Sequence, residues 1–152
     1  DDSFQAIVMN HVIEHVPDPS GVLRKCRRLL APGGRMVIVT PNPAGLGHRL
    51  FKKSWANLDP PRHPHLFSPK ALRAAAEEAG FESILGASKT RYHFIRWTWT
   101  ASLGIRRWGR FDGRKPARPL PRGGLLFYLI EEALRPFWRN VGEEYLLLAV
   151  KK

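Results

Sequence analysis

Cysteine is almost absent: Cys26 is the only one among 152 residues. No internal disulfide can form, and that usage leans towards a reducing compartment. Long apolar runs are missing too. None approaches the ~18 to 20 residues that a membrane-spanning helix needs. The opening DDSFQAIVMN lacks the basic flank and apolar stretch of a secretory signal. A soluble, cytoplasmic protein is expected. No internal repeat is visible, and acidic charge is scarce, 13 Asp and Glu against 25 Lys and Arg. What remains is ordinary: a hydrophobic content of 43% in a chain long enough to bury the core of one domain.

The basic excess is concentrated. Arg91, Arg96, Arg106, Arg107, Arg110, Arg114, Lys115, Arg118 and Arg122 are opposed only by Asp112. Such a stretch attracts phosphate, whether of nucleic acid, a lipid headgroup or a nucleotide-linked substrate, unless it is simply a solvated face.

Along the chain, FQAIVMN reads as a strand from Phe4 to Met9. Its near-continuous apolar character predicts burial on both faces, as in parallel sheets. HVIEH is a short turn, because Pro17 disfavours helical geometry at Val16. Asp18 caps a helix with Pro19 at its first position, and Val22, Leu23, Cys26, Leu29 and Leu30 form its apolar stripe. Ala31-Pro32-Gly33-Gly34 is expected to turn the chain into a second buried strand, RMVIVT. The Pro- and Gly-rich stretch from PNPAGLG to HLF has no periodicity and reads as a long functional loop. Ser68 and Pro69 then open a helix, Phe67 and Leu72 are spaced as a hydrophobic staple, and Gly80 ends it. A strand follows at Glu82 to Ala87. YHFIRWTWTASLGIRRW mixes aromatics with arginines, and FDGRKPARPLPRGG reads as an irregular linker. GLLFYLIEEAL is helical up to Pro136, and EYLLLAVKK is a closing strand.

Two strands joined by one helix, with PGG before the second, point to a doubly wound α/β sheet whose chemistry gathers at the strands' carboxyl ends. NHVIEH and TPN lie there. The ordered series EHVPDP, LAPGGRMVIVTPN and RHPHLFSPKALRAAAEEAGF resembles the second half of class I S-adenosylmethionine-dependent methyltransferases, over residues 4 to about 82. The closing EYLLLAVKK resembles that family's last antiparallel strand.

The resemblance implies a Rossmann-like methyltransferase sheet in partial form. A single partial domain over 1–152 divides into an α/β part (1–90), a basic aromatic insertion (91–140) and a final strand (143–152). The family's glycine-rich cofactor loop has no counterpart here, since residue 4 already matches the fourth strand. S-adenosylmethionine is therefore expected to bind this polypeptide weakly or not at all, and the exposed edge of the first strand suggests a homo-oligomer.

NHVIEH admits three readings. H-x-x-E-H is the inverzincin zinc-peptidase signature, but Pro17 denies it the helix it needs. The favoured reading, implied by the resemblance, places Asn10, His11 and Glu14 against the cofactor, with Glu14 or His15 bonding the turn. A metal-using subgroup of the family carries Glu-x-x-Glu-His here. Glu14 and His15 match it, but His11 replaces the first glutamate, so a divalent ion on His11, Glu14 and His15 is not favoured. His63 is the candidate catalytic base, and Asn42, Trp55, Arg62 and His65 are candidates for the small-molecule methyl acceptor's pocket.

The aromatic insertion reads as a lid or as packing, ahead of a membrane or nucleic-acid surface. The rival function is a non-catalytic module that holds nucleic acid or anionic lipid through that insertion.

Overall fold

The computed structural model describes residues 1–89, 91–109 and 121–152. Most of the expected linker at 111–124 lies outside them, with Arg110, Arg114, Lys115 and Arg118 of the basic stretch and the Arg122 side chain.

Strand β1 (Phe4–Asn10) leads through a 3-10 turn (Ile13–His15) into helix α1 (Pro19–Leu29) and strand β2 (Leu30–Pro41). Helix α2 (Leu46–Phe51) and two 3-10 turns (Lys52–Ser54, Ala56–Leu58) precede helix α3 (Pro69–Glu78) and strand β3 (Glu82–Lys89). Helices α4 (Tyr92–Trp108) and α5 (Pro121–Leu134) lead to strand β4 (Glu144–Val150). The sheet order is β1-β2-β4-β3. The β1–β2 pair is parallel, and β4 runs antiparallel to both neighbours.

The capping signals act as their chemistry requires. The Asp18 carboxylate accepts from Gly21 N at 2.8 Å, and Ser68 Oγ accepts from Ala71 N at 3.2 Å. Asp18→Ala should lower stability by about 1 kcal/mol, read as a shift in denaturation midpoint. Leu23 and Cys26 of α1 and Leu72 and Ala76 of α3 press on Met36, Ile38, Leu147 and Ala149 of the sheet, and Phe67 packs beside them.

Three expectations need correction. First, β1 is not buried on both faces. On the face away from α1 and α3, the register Val8–Val37–Leu148–Leu85 leaves Val8 and Leu85 each 66% exposed, while Met9 is buried. A run of apolar residues specifies a strand, but which faces are covered depends on what packs there. Second, APGG is not a turn between the helix and the second strand. It is absorbed as an irregularity within β2 between the Phe4–Leu30 and Ala6–Arg35 pairs, with Gly33 at φ +76°. Backbone bonds Gly33 N to Lys151 O (2.7 Å) and Lys151 N to Gly34 O (2.9 Å) hold it. Third, the stretch after TPN is not structureless, since α2 and two 3-10 turns occupy it. Its periodicity is too short to read without the partners it packs on.

The aromatic insertion forms two helices. Phe51 of α2, Trp99 of α4 and Phe127 of α5 meet in one cluster, with centroids 5.1 to 6.5 Å apart. Among the described residues no helix is long and apolar enough to cross a membrane.

Candidate active site

The carboxyl ends of β1, β2 and β3 and the start of β4 share one edge of the sheet. Directly after β1, His11 adopts φ +52°, which aims its ring back over the edge. Its Nδ1 lies 3.1 Å from Glu14 Oε1 and its Nε2 2.9 Å from Glu144 Oε1. Glu14 is buried and also accepts from Thr40 Oγ1 at 3.0 Å. Glu144, from β4, accepts from Arg91 Nη2 at 2.6 Å and Nε at 3.1 Å.

Two cations and two carboxylates therefore alternate along a chain Thr40–Glu14–His11–Glu144–Arg91. The hydrogen bonds to Glu14 and Glu144 push His11 up to about 9 against the desolvation of its ring. Burial works to raise both carboxylates, but His11, with Thr40 at Glu14 and Arg91 at Glu144, holds them below the usual range. His11 is thus a fixed cation at neutral pH, with both ring nitrogens donating.

Beside this network stand two more imidazoles. His15 Nδ1 is 2.8 Å from Arg62 O, and His63 Nδ1 is 2.7 Å from Asn57 O. Both nitrogens must donate to those carbonyls, so in the neutral rings the lone pairs fall on the Nε2 atoms. The two ring centroids are 4.6 Å apart. Ligating atoms of Glu14, His15 and His63 lie within 4.8 Å of one another. Among the described residues, Glu14, His15 and His63 are therefore the set placed to share an ion, while His11 bonds to two carboxylates.

A cleft of about 450 Å³ opens next to Arg62, between the turns at 52–58 and α4, lined by Lys53, Trp55, Leu58, Asp59, Trp97 and Ile105 among others. A family profile described as "Methyltransferase domain" matches residues 1–85, more than half of the chain.

The chain belongs to the methyltransferase-domain family. A ubiquinone biosynthesis O-methyltransferase of Pseudomonas aeruginosa is 34% identical over 85 residues, covering 52% of this chain and 37% of that protein. One from Xanthomonas oryzae is 48% identical over 40 residues, covering 26% and 17%. The chain therefore spans well under half the length of these curated relatives. Among solved structures, a S-adenosylmethionine-dependent methyltransferase of Thermotoga maritima, titled a possible histamine N-methyltransferase, superposes with TM-score 0.61 at 18% identity. That match covers all of this chain and 58% of the other. A methyltransferase of Archaeoglobus fulgidus gives TM-score 0.57 at 19% identity, covering 99% and 61%. The Rossmann-like fold expected from the sequence is the fold of these neighbours.

Within this methyltransferase domain the candidate residues separate by environment. Asn10 is exposed at the end of β1, and its side chain makes no hydrogen bond among the described residues. Asn42 is fully buried: its Nδ2 donates to Asn140 O and Gly142 O, and its Oδ1 accepts from Ala44 N. Trp55 is buried with Nε1 donating to Glu143 Oε2 at 2.9 Å, yet it walls the cleft. Arg62 is exposed, pairs with Asp59 at 3.3 Å and also lines the cleft. His65 Nε2 lies 3.4 Å from Pro17 O, bracing the turn after β1.

Sequence reasoning missed Glu143, Glu144 and Arg91. Two adjacent carboxylates opening an otherwise apolar strand, GEEYLLLAV, were the available signal.

Proposed function

We propose that this chain contributes the acceptor side of a S-adenosylmethionine-dependent methyltransferase acting on a hydroxyl group of a small molecule. The observation that carries this reading is His63, whose Nδ1 is held on Asn57 O, which leaves the Nε2 lone pair of the neutral ring available beside Glu14 and His15. The oxygen acceptor is argued from the relatives named as O-methyltransferases.

When bound, S-adenosylmethionine supplies an electrophilic methyl on sulfonium. The residues present suit only its methionine end: Asn10 offers free polar groups, and the turn at 11–15 is stiffened by the Glu14–His11–Glu144 bonds. The acceptor sits in the cleft between Trp55 and Trp97, with Lys53 and Arg62 at its rim. His63 Nε2 would take the hydroxyl proton while the oxygen bonds to the methyl carbon and the methyl–sulfur bond breaks, with the neutral thioether leaving, and orientation would supply much of the acceleration.

A second reading is favoured by the convergence of Glu14, His15 and His63. One carboxylate and two imidazoles suit a zinc-like ion better than magnesium. Both imidazoles already carry the Nδ1 hydrogen bonds that orient metal ligands. Such an ion would acidify the acceptor hydroxyl.

The test is methyl transfer by the full-length gene product from methyl-labelled S-adenosylmethionine to a panel of phenols and amines. Labelled ethers are expected. Labelled amines without ethers would sink the oxygen assignment, and no transfer to either class would sink the enzymatic reading. Activity surviving prolonged chelation selects the base; loss restored by zinc selects the ion.

A further inference from the structure

Away from the His63 site, a second concavity of about 620 Å³ lies where the start of α3, the end of β3 and the segment after α5 meet. Four cationic side chains line it, Lys70, Arg73, Arg135 and Arg139, and no carboxylate does. It shares no lining residue with the methyl-transfer candidates.

Acidic neighbours engage only half of the charge. Arg73 Nη1 is 3.9 Å from Glu77 and Arg135 Nη2 is 2.5 Å from Glu132. Lys70 and Arg139 have no carboxylate partner among the described residues.

The floor adds a second and independent observation. Tyr145 is only 4% exposed, yet it lines this groove and makes no side-chain hydrogen bond among the described residues. Its hydroxyl occupies the space above Gly86, 1.8 Å from where a Cβ would stand. The ring is buried while the hydroxyl opens onto the groove, where a phenol can donate to whatever occupies the space. Here it is presented to a basin of positive charge. Ser88 is not a competitor for that role: its hydroxyl donates to Arg139 O at 2.7 Å and accepts from Gly142 N at 3.1 Å, fixing the backbone of the arginine's own segment.

We propose that this groove binds a phosphate-bearing ligand, with Lys70 and Arg139 supplying charge and the Tyr145 hydroxyl donating to a phosphate oxygen. Arginine's fork suits two phosphate oxygens at once, and a phenol donor at the floor sets how deep the group seats. The volume admits a diphosphate or a phosphomonoester with a modest organic part.

The test uses the whole chain and two probes: inorganic pyrophosphate, followed by calorimetry, and phosphatidylcholine vesicles with and without phosphatidic acid, followed by co-sedimentation. Lys70→Ala, Arg139→Ala and Tyr145→Phe each remove one proposed contact, and Tyr145→Phe keeps the packed ring. Arg24→Ala, on the exposed face of α1, is the charge control. Each groove variant should weaken binding roughly tenfold or more, the weight of one hydrogen bond to a charged group, while Arg24→Ala leaves it unchanged. Pyrophosphate binding with this pattern assigns a soluble ligand, and vesicle binding with this pattern assigns a headgroup. Binding that all four variants weaken alike overturns the proposal in favour of diffuse charge. So does binding that none of them changes, and so does no binding of either probe.

Discussion

Stability should fall as the pH rises from 5 to 9, in two steps that belong to two different residues. Glu143 is buried against Trp55 Nε1 (2.9 Å) and Gly47 N (2.8 Å). Burial drives it from 4.5 to about 7 despite those hydrogen bonds. A carboxyl raised in the folded state favours folding while protonated, and that advantage is lost between the unfolded value of 4.5 and the folded value of about 7. The loss is on the order of 3 kcal/mol.

His11 acts in the next window. Its folded value of about 9 exceeds the unfolded 6.5, so its contribution is complete below 6.5 and disappears as pH climbs through 9. With part of the ring in solvent, this second loss is on the order of 2 kcal/mol. Glu14 and Glu144 are shifted the other way, so their contribution fails only on the acid side, below the ordinary carboxylate value of 4.5. Denaturant titrations in the presence of a chelator, at each pH, check the pattern. Glu143→Gln should flatten the lower step and His11→Asn the upper. Comparing variants at equal pH cancels the general effect of a net charge of +12. If Glu143→Gln leaves the lower step intact, the assignment is wrong.

His63→Ala should lower kcat for methyl transfer by about 10² to 10⁴ in the full-length protein, the usual weight of a positioned general base. KM for the acceptor should change little, because the cleft is built from other side chains. A base leaves a second mark: the acid limb of the pH–rate profile should vanish in the variant. Should the Glu14–His15–His63 set hold an ion instead, His15→Ala would fall as far as His63→Ala, and bound metal would fall with both. A His63 variant with wild-type kcat would remove both roles.

Much of the fold was legible because its signals are local. Asp18-Pro19 and Ser68-Pro69 start helices through a side chain and a backbone amide three residues apart. The stripe of Leu23 and Cys26 needs only the helical period to be seen. The site was legible in part for the same reason: His11 and Glu14 meet because a single turn places them three residues apart.

What the sequence left open has the opposite cause. His11 looked like a possible metal ligand until Glu144, 133 positions away, was seen to claim its Nε2. His63 reaches the Glu14 turn only because β1 and the loop after β2 end on the same edge. Asn42 has the polar groups of a pocket residue, yet Asn140 and Gly142 absorb its donor.

By itself the sequence determined the family, the order of the strands, the capped helix starts and the shortage of negative charge, all properties of neighbouring residues or of composition. Only the tertiary structure decided which charges cancel and which stay available. Glu14 and Glu144 together balance His11 and Arg91, while Lys70, Arg139 and the Tyr145 hydroxyl remain without such partners among the described residues. Electrostatic and hydrogen-bond energies depend on distance and burial, and neither is a function of separation along the chain.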